Sequence, residues 1–513
     1  MYLNEKILIG KSKEKELYIL PNKANRHGLI TGASGSGKTV TSKVMAESFS
    51  DAGIPVFMAD VKGDIAGTCA TGKASQQIEE RLKSLDIKDF DYKSFPVHFW
   101  DIYGEAGHPI RTTISRVGSS ILSIMLGLSE AQEGVLDIVF KIAEDENLKL
   151  IDLKDLRLVL QYIGDNRKEY ITKYGNITTQ SIGVIQRSIL SLEKEGAEKF
   201  FGQPDLNIND FIKLNSEGKG YINILHATKL FENPDLYASF LLWLLTELFT
   251  TMPEVGDLDK PKIVFFFDEA HLLFNGMPEY RLKRIVQVVR LVRSRGIGLY
   301  FVSQTPTDIP DQILAQLGNR VQHTLRAYTP AEQKSVKAAA TAFRVNSKFD
   351  TEKAILELGT GEALISFQNE KGEPEIVEKG TILPPQSAMG TIDEITRTKV
   401  INNSEFAGKY EELIDNESAY EILVKKLEEK EAAKKAEDEK KIAEKAAKEE
   451  AKKKREEERE KARLERQRQK EAENSFGGQA KKMGQRVIQN TTTGIIRRIA
   501  NSIVKSLFGS KKK

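Results

Sequence analysis

An α/β fold with a mostly parallel sheet and helices on both faces is what this sequence predicts, on three observations. Residues 55–60 and 262–267 are near-continuous apolar runs, the pattern of strands buried on both faces. Such runs alternate with segments of helical periodicity, the order that builds parallel sheets. Several of them end on polar side chains, Asp60, Asp268, Glu269 and Gln304, at the carboxyl strand ends where ligands gather in such folds.

Taken in order, residues 1–31 predict short strands at 6–9 and 16–20 around a Lys-Ser-Lys-Glu turn, with no room for a separate domain before the strand at 29–31. That strand feeds Gly32-Ala33-Ser34-Gly35-Ser36-Gly37-Lys38-Thr39, and a helix over 40–50 begins at Val40. This is a complete phosphate-binding loop with its strand in front and its helix behind. Gly32, Gly35 and Gly37 lack a Cβ, so the backbone can wrap a triphosphate and aim its N–H groups at phosphate oxygens. Lys38 adds charge at the β and γ phosphates, and Thr39 offers a hydroxyl to Mg²⁺. The flanks and the Lys-Thr pair set aside a purely structural glycine turn, and the loop predicts binding of ATP or GTP.

A strand at 97–100 ends on Asp101, after which the β/α alternation lapses into a helical insertion over about 114–214. It resumes with a strand at 221–225, an apolar helix at 237–249, and the strand at 262–267. A basic helix follows at 281–295, then strands at 297–303, 320–326 and 362–367. These elements predict one nucleotide-binding domain over 1–390 and a connecting segment at 391–421. Residues 422–474 are a Lys/Glu/Ala-rich helix in which Glu444 and Lys448, Glu450 and Lys454, and Glu457 and Lys461 stand four apart. A coiled coil would have a seam of mostly Ala, with only Leu427, Ile442 and Leu464 larger, so a solvated spacer is the preferred reading. Residues 475–513 predict a basic amphipathic helix, with Ile495, Ile499, Ile503 and Phe508 on one face. It suits an anionic membrane, DNA or a protein partner.

The formal net charge of the 513 residues is only +3, which does not by itself announce a nucleic-acid binder. Cys69 is the single cysteine, so no internal disulfide forms, and with no secretory signal the chain is expected in the cytoplasm. The helix at 237–249 is shorter than the roughly twenty residues a membrane span needs.

The acidic pair Asp268-Glu269 at an apolar strand end is the second diagnostic element. In hydrolases of this loop class the first acid holds the Mg²⁺ water shell and the second polarises the attacking water. Gln304, one strand on, is positioned to sense the γ-phosphate, although Ser-Gln-Thr-Pro is also an ordinary strand exit. Arg320 and Arg326 flank a later strand and are candidates for reaching a neighbouring subunit's nucleotide, or plain surface arginines. The basic helix, with Arg281, Lys283, Arg284, Arg290, Arg293 and Arg295, has two readings, a DNA path and a solvated face.

Together, residues 32–39, Asp60-Val61-Lys62-Gly63-Asp64, the Phe-Phe-Phe-Asp-Glu-Ala-His-Leu-Leu-Phe run at 265–274, Arg293-Ser294-Arg295-Gly296, Ser303-Gln304-Thr305-Pro306 and Leu317-Gly318-Asn319-Arg320 resemble the HerA/FtsK superfamily of ATPases. More narrowly, the chain is similar to bacterial HerA-helicase-like proteins of the YjgR type, from about residue 5 to about 385. The resemblance implies a RecA-like P-loop NTPase core, ATP and Mg²⁺ as cofactors, a homo-hexameric ring and movement of double-stranded DNA. It implies Lys38 and Thr39 as nucleotide and metal ligands, Asp268 and Glu269 as metal and water residues, Gln304 as sensor, and Arg320 ahead of Arg326 as the finger. The chain departs from the family where archaeal members carry an N-terminal β-barrel and the chromosome pumps a winged helix. The alternative expectation is a nucleotide-switched assembly ATPase acting on a protein or membrane partner without DNA.

Overall fold

A computed structural model describes residues 1–474 of the chain, and the tail helix expected over 475–513 lies outside the described residues. The N-terminal strands β1 (Tyr2–Leu3), β2 (Lys6–Lys11) and β3 (Glu16–Ile19) pair antiparallel before β4 (Gly28–Thr31) enters the middle of the sheet. Helix α1 (Lys38–Asp51) leads to β5 (Val56–Asp60). Then come α2 (Gln76–Ser84), β6 (Val97–Asp101) and β7 (His108–Pro109). The insertion is helical as expected: α3 (Ile114–Met125), α4 (Glu130–Asp145), α5 (Leu153–Asp165), α6 (Arg167–Tyr174) and α7 (Thr179–Lys194). Alternation returns with β8 (Ile222–His226), α8 (Pro234–Thr251), β9 (Ile263–Phe267), α9 (Glu279–Val292), β10 (Ile297–Ser303), α10 (Asp311–Leu314) and β11 (Asn319–Gln322). The chain continues through α11 (Pro330–Thr341), α12 (Thr351–Glu357), β12 (Glu362–Ser366), β13 (Glu378–Ile382), α13 (Glu394–Asn402) and α14 (Ala419–Asn474).

The sheet runs β1-β2-β13-β12-β11-β4-β10-β9-β5-β8-β6-β7, with β3 on β2. From β11 to β7 every pairing is parallel, and the other edge is antiparallel. Strand side chains alternate between two cores because successive Cβ atoms point to opposite faces. Phe265 and Phe267 join a core made with the insertion and α8, whereas Val264 and Phe266 join a core made with α1 and β2. This is why β9 reads as an unbroken apolar run. Helix α8 starts at Pro234 behind an Asn233 cap and is buried along most of its length. No described helix is long and apolar enough to cross a membrane.

Three boundaries differ from expectation. Strand β11 stops at Gln322, not 326, because His323 and Thr324 turn in to meet the glycine loop, where the Thr324 carbonyl accepts from the Ala33 N–H at 2.8 Å. Strand β13 carries a glycine and alternating polar residues, and its apolar signal is too weak to see. Residues 391–421, expected to connect, belong instead to a compact unit that runs from Met1 to Leu423. Phe406 and Tyr410 are buried against Trp100, and the Tyr410 hydroxyl donates to Asp210 Oδ2 at 2.5 Å. Ser418 Oγ donates to Asp155 Oδ1 at 2.6 Å, which ties down the start of α14.

Beyond Leu423, α14 is a charged helix. Glu450 and Lys454 close at 3.6 Å and Glu437 and Lys441 at 2.6 Å, while Ile442 and Leu464 are 67% and 53% exposed.

Because Phe406 is buried against Trp100 and Tyr410, with the His98 and His108 rings beside it, Phe406→Ala is expected to lower the unfolding free energy by about 3 kcal/mol. Urea titration of the full chain checks this, and an unchanged midpoint would return 391–421 to the role of a passive connector.

Candidate nucleotide site

The glycine loop leaves β4 at Thr31 and enters α1 at Lys38. Gly37 caps the helix at φ 112°, a left-handed conformation open chiefly to glycine. Gly32 is required for a different reason: a Cβ there would stand 2.5 Å from His323 Cβ and 2.7 Å from Ser36 Oγ. The loop is held from outside at several points. The Gly32 N–H donates to the Gln304 carbonyl at 3.2 Å, the Ala33 N–H to the Thr324 carbonyl at 2.8 Å, and the Gly361 N–H to the Ser36 carbonyl at 3.1 Å. Among the described residues, no backbone carbonyl accepts from the amides of Ser34, Gly35 or Gly37. These amides and the buried, unpartnered Ser36 hydroxyl suit an anion. Lys38 Nζ lies inside the loop, donating to the carbonyls of Gly32 at 2.6 Å and Ala33 at 3.2 Å. Thr39 and Val40 are half-buried in the first turn of α1.

His323 braces this loop from behind and had no sequence signature. Its ring faces the Glu362 carbonyl through Nδ1 at 2.9 Å and the Thr41 hydroxyl through Nε2 at 2.8 Å. Burial pushes its pKa down to about 4, so the ring is neutral, with its proton on Nδ1 and Nε2 accepting from Thr41.

Register brings the remaining residues level with the loop. Strand β10 lies between β4 and β9, pairing Ser303 with Thr31 and Phe301 with Phe267. Gln304 therefore lies level with Gly32 on one side and beyond the end of β9, from which the Asp268-Glu269 pair follows, on the other, with its side chain exposed. Asp268 Oδ1 accepts the Glu269 N–H at 2.9 Å, and the Tyr237 hydroxyl donates to the Asp268 carbonyl at 2.9 Å. Glu269 adopts φ 48°, a conformation costly for a residue with a Cβ and frequent at functional sites. Its Oε2 is buried without a hydrogen-bond partner among the described residues, and His271 Nδ1 stands 3.4 Å away without hydrogen-bond geometry.

Burial, and next the charge of Glu269, push the Asp268 carboxyl up to about 6, with Lys62 and Lys38 acting against the rise. Lys38 is shifted down by burial, with Glu269 and Asp268 opposing. Lys62, present in the sequence motif at 60–64 but given no role there, thus belongs to the same electrostatic site. Asp60 ends β5 buried, its carboxyl also pushed up to about 6, chiefly by burial, and its Oδ2 accepts the Ile65 N–H at 3.3 Å. A carboxylate and a hydroxyl, Asp268 and Thr39, are the hard oxygen donors that Mg²⁺ takes.

The two candidate arginines separate. Arg320 donates to the carbonyls of Leu314, Leu317 and Ala342 at 3.0, 3.1 and 2.9 Å, all within its own chain, whereas Arg326 is exposed. The basic segment is likewise partly committed internally, while Lys283 and Arg290 are exposed. Arg281 pairs with Glu133 at 2.7 Å, both nearly buried, Arg284 donates to Ser120 Oγ at 2.9 Å, and Arg295 meets the Met252 carbonyl.

A glycine loop and an acidic pair separated by one intervening strand, on a parallel sheet with this order, define a P-loop NTPase with a RecA-like core. Comparison with known families narrows the class. A model of the family described as helicase HerA-like, C-terminal, matches residues 5–513, and the chain belongs to that family. It is 25% identical over 365 residues to the DNA double-strand break repair helicase HerA of Saccharolobus solfataricus, covering 70% of this chain and 64% of that protein. The HerA of Sulfolobus acidocaldarius is 23% identical over 361 residues, with 70% and 65% covered. The chain thus spans just under two thirds of these relatives. Among solved structures, VirB4 of Thermoanaerobacter pseudethanolicus aligns with a TM-score of 0.47 at 12% identity, covering 76% of this chain and 97% of that one. The plasmid coupling protein TrwB in complex with ADP and Mg²⁺ aligns at 0.43 and 13%, covering 72% and 90%.

A carboxyl whose pKa is raised on folding destabilises the native state where it must ionise. The penalty is absent below the ordinary value of 3.8, grows between there and about 6, and is full above. Asp268→Asn is therefore expected to raise the melting temperature of the nucleotide-free chain at pH 8 and to lose that gain by pH 4. Equal gains at both pH values would contradict this account.

Proposed function

We propose that this chain hydrolyses ATP with Mg²⁺ and that, assembled as a hexameric ring, it moves double-stranded DNA. The observation that carries the reading is the buried Glu269 carboxylate oxygen without a hydrogen bond among the described residues, held by a strained backbone one strand away from the phosphate loop. The loop amides and Lys38 bind the triphosphate and hold its charge, and Gln304 orients the attacking water from the intervening strand end. Glu269 accepts a proton from that water as its oxygen forms a bond to the γ-phosphorus, and the bond to the ADP oxygen breaks. Thr39 and Asp268 would hold Mg²⁺, which supplies neutralisation of phosphate charge. Arg326, exposed where Arg320 is engaged, is the better candidate to reach a neighbour's γ-phosphate, a contribution of about 10³–10⁵ in rate for arginine fingers. The curated relatives named as repair helicases support DNA as the partner.

One observation favours a second reading. The internal commitment of Arg281 and Arg284 leaves α9 with less free charge for phosphate contacts than its sequence suggests. A nucleotide-switched assembly ATPase, acting on a protein or membrane partner through the C-terminal segment, fits that finding.

Steady-state hydrolysis by the full chain separates the two. The motor reading expects stimulation by long double-stranded DNA and a loss of ~10²-fold or more in Glu269→Gln. Hydrolysis that ignores DNA would sink the motor and favour assembly. Arg326→Ala is expected to lower hydrolysis at least tenfold without altering ring size in mass photometry, and wild-type activity in that variant would remove Arg326 from the site.

A further inference from the structure

The Gln304 side chain is exposed and takes no hydrogen bond among the described residues, so its aim is set by the backbone that carries it. That backbone is fixed from two sides. The Gln304 carbonyl accepts from the Gly32 N–H at 3.2 Å, which ties it to the phosphate loop. From the other side a single carboxylate, Asp308, holds both neighbours of Gln304 in the chain. Asp308 Oδ2 accepts from the Ser303 hydroxyl at 2.7 Å and from the Thr305 N–H at 2.9 Å, and Oδ1 accepts from the Thr305 hydroxyl at 2.9 Å. The turn closes in return, with the Asp308 N–H donating to the Thr305 carbonyl at 3.3 Å.

This is more than the short helical turn Pro306–Asp308 needs. A capping box is complete with the Thr305 contacts alone. The Ser303 hydroxyl adds a tie to the strand, from a buried residue at the last position of β10 that pairs with Thr31, the residue before Gly32. Nor does the turn depend on Asp308 to stay seated. Pro306 is buried, Ile309 joins the core shared with the insertion and α8, and the Thr307 hydroxyl meets Ser335 Oγ of α11 at 3.0 Å. What the carboxylate adds is the setting of the peptides on either side of Gln304. Its charge also reaches Lys38, more weakly than those of Glu269, Asp268 and Lys62.

Resting on the hydrolysis reading above, we propose that Asp308 is a positioning residue for that reaction, its carboxylate fixing the Ser303–Thr305 backbone so that the Gln304 amide meets the attacking water. It acts through Gln304 and holds no reacting atom. A group displaced by 1 Å from its working position costs about 10²-fold in rate, so hydrogen bonds one residue away from Gln304 bear on turnover. The role needs acceptor oxygens and not a charge, because every partner is a neutral donor. Asparagine meets that need: its carbonyl oxygen accepts from the Ser303 hydroxyl and the Thr305 N–H, and its amide donates to the Thr305 hydroxyl.

The test is a double-mutant cycle on steady-state ATP hydrolysis by the full chain, with wild type, Asp308→Ala, Gln304→Ala, the double variant and Asp308→Asn, and with kcat and KM taken separately. Asp308→Ala is expected to lower kcat about tenfold or more, with KM changed by less than about threefold. The double variant is expected to be no slower than Gln304→Ala alone, and Asp308→Asn to recover most of the lost rate. Losses that multiply in the double variant overturn the inference, because Asp308 would then act on something other than Gln304. Wild-type kcat in Asp308→Ala overturns it too, as does a raised KM with kcat kept, the mark of a brace for the phosphate loop. Asp308→Asn as slow as Asp308→Ala replaces positioning with the effect of charge on Lys38. Should Asp308→Ala fail to fold, Ser303→Ala with Thr305→Val, which removes both hydroxyl donors, takes its place in the cycle with the same outcomes. Gln304→Ala with wild-type kcat removes this proposal and leaves ATP hydrolysis standing, whereas a wild type that does not hydrolyse ATP removes both.

Discussion

The parallel register of β4, β10 and β9 is the constraint on which the site depends. Ser303 pairs with Thr31, and Phe301 with Phe267, so β4 and β10 finish together and β9 stops two residues short of them. The glycine loop, Gln304 and the Asp268-Glu269 pair follow from those endings with no further adjustment. A slip of one residue along β9 would carry both acids to the opposite face and exchange Phe265 and Phe267 with Val264 and Phe266 between the two cores. Burial on both faces makes that slip costly, and so the apolar cores set the geometry of the chemistry.

Charge is distributed around that frame in a consistent way. Asp268 is held above its ordinary range by burial and by Glu269, with Lys38 and Lys62 opposing from the loop and from the strand end of β5. Glu269 is kept in a strained backbone conformation with an oxygen free, while most of the surrounding polar groups, from the Gly32 and Ala33 amides to the Thr41 hydroxyl, are tied to carbonyls or to His323. Two of the site's buried polar atoms, Ser36 Oγ in the loop and Glu269 Oε2, have no hydrogen bond among the described residues. The helical insertion engages two basic residues of α9, Arg281 through Glu133 and Arg284 through Ser120.

Much of this was legible in advance. The phosphate loop, the acid pair and Gln304 are local strings whose spacing encodes their geometry, and the strand and helix order follows from hydrophobic periodicity. His323 was not legible, because a lone histidine acquires meaning only when the β11 turn carries it beneath Gly32. Arg320 and Arg326 look equivalent in sequence, yet three carbonyls claim one of them. Pro384 and Pro385 read as the end of a domain, but the compact unit continues to Leu423.

By itself, then, the sequence determined the class of fold, the glycine loop and the acidic strand end, because each is a short contiguous pattern with a local physical cause. The tertiary structure alone decided which arginine stays free, what braces the loop and how far the domain extends. Those features depend on long-range contacts between β11, β12 and the segment after β13, and side-chain identity carries no information about such contacts until the chain has closed on itself.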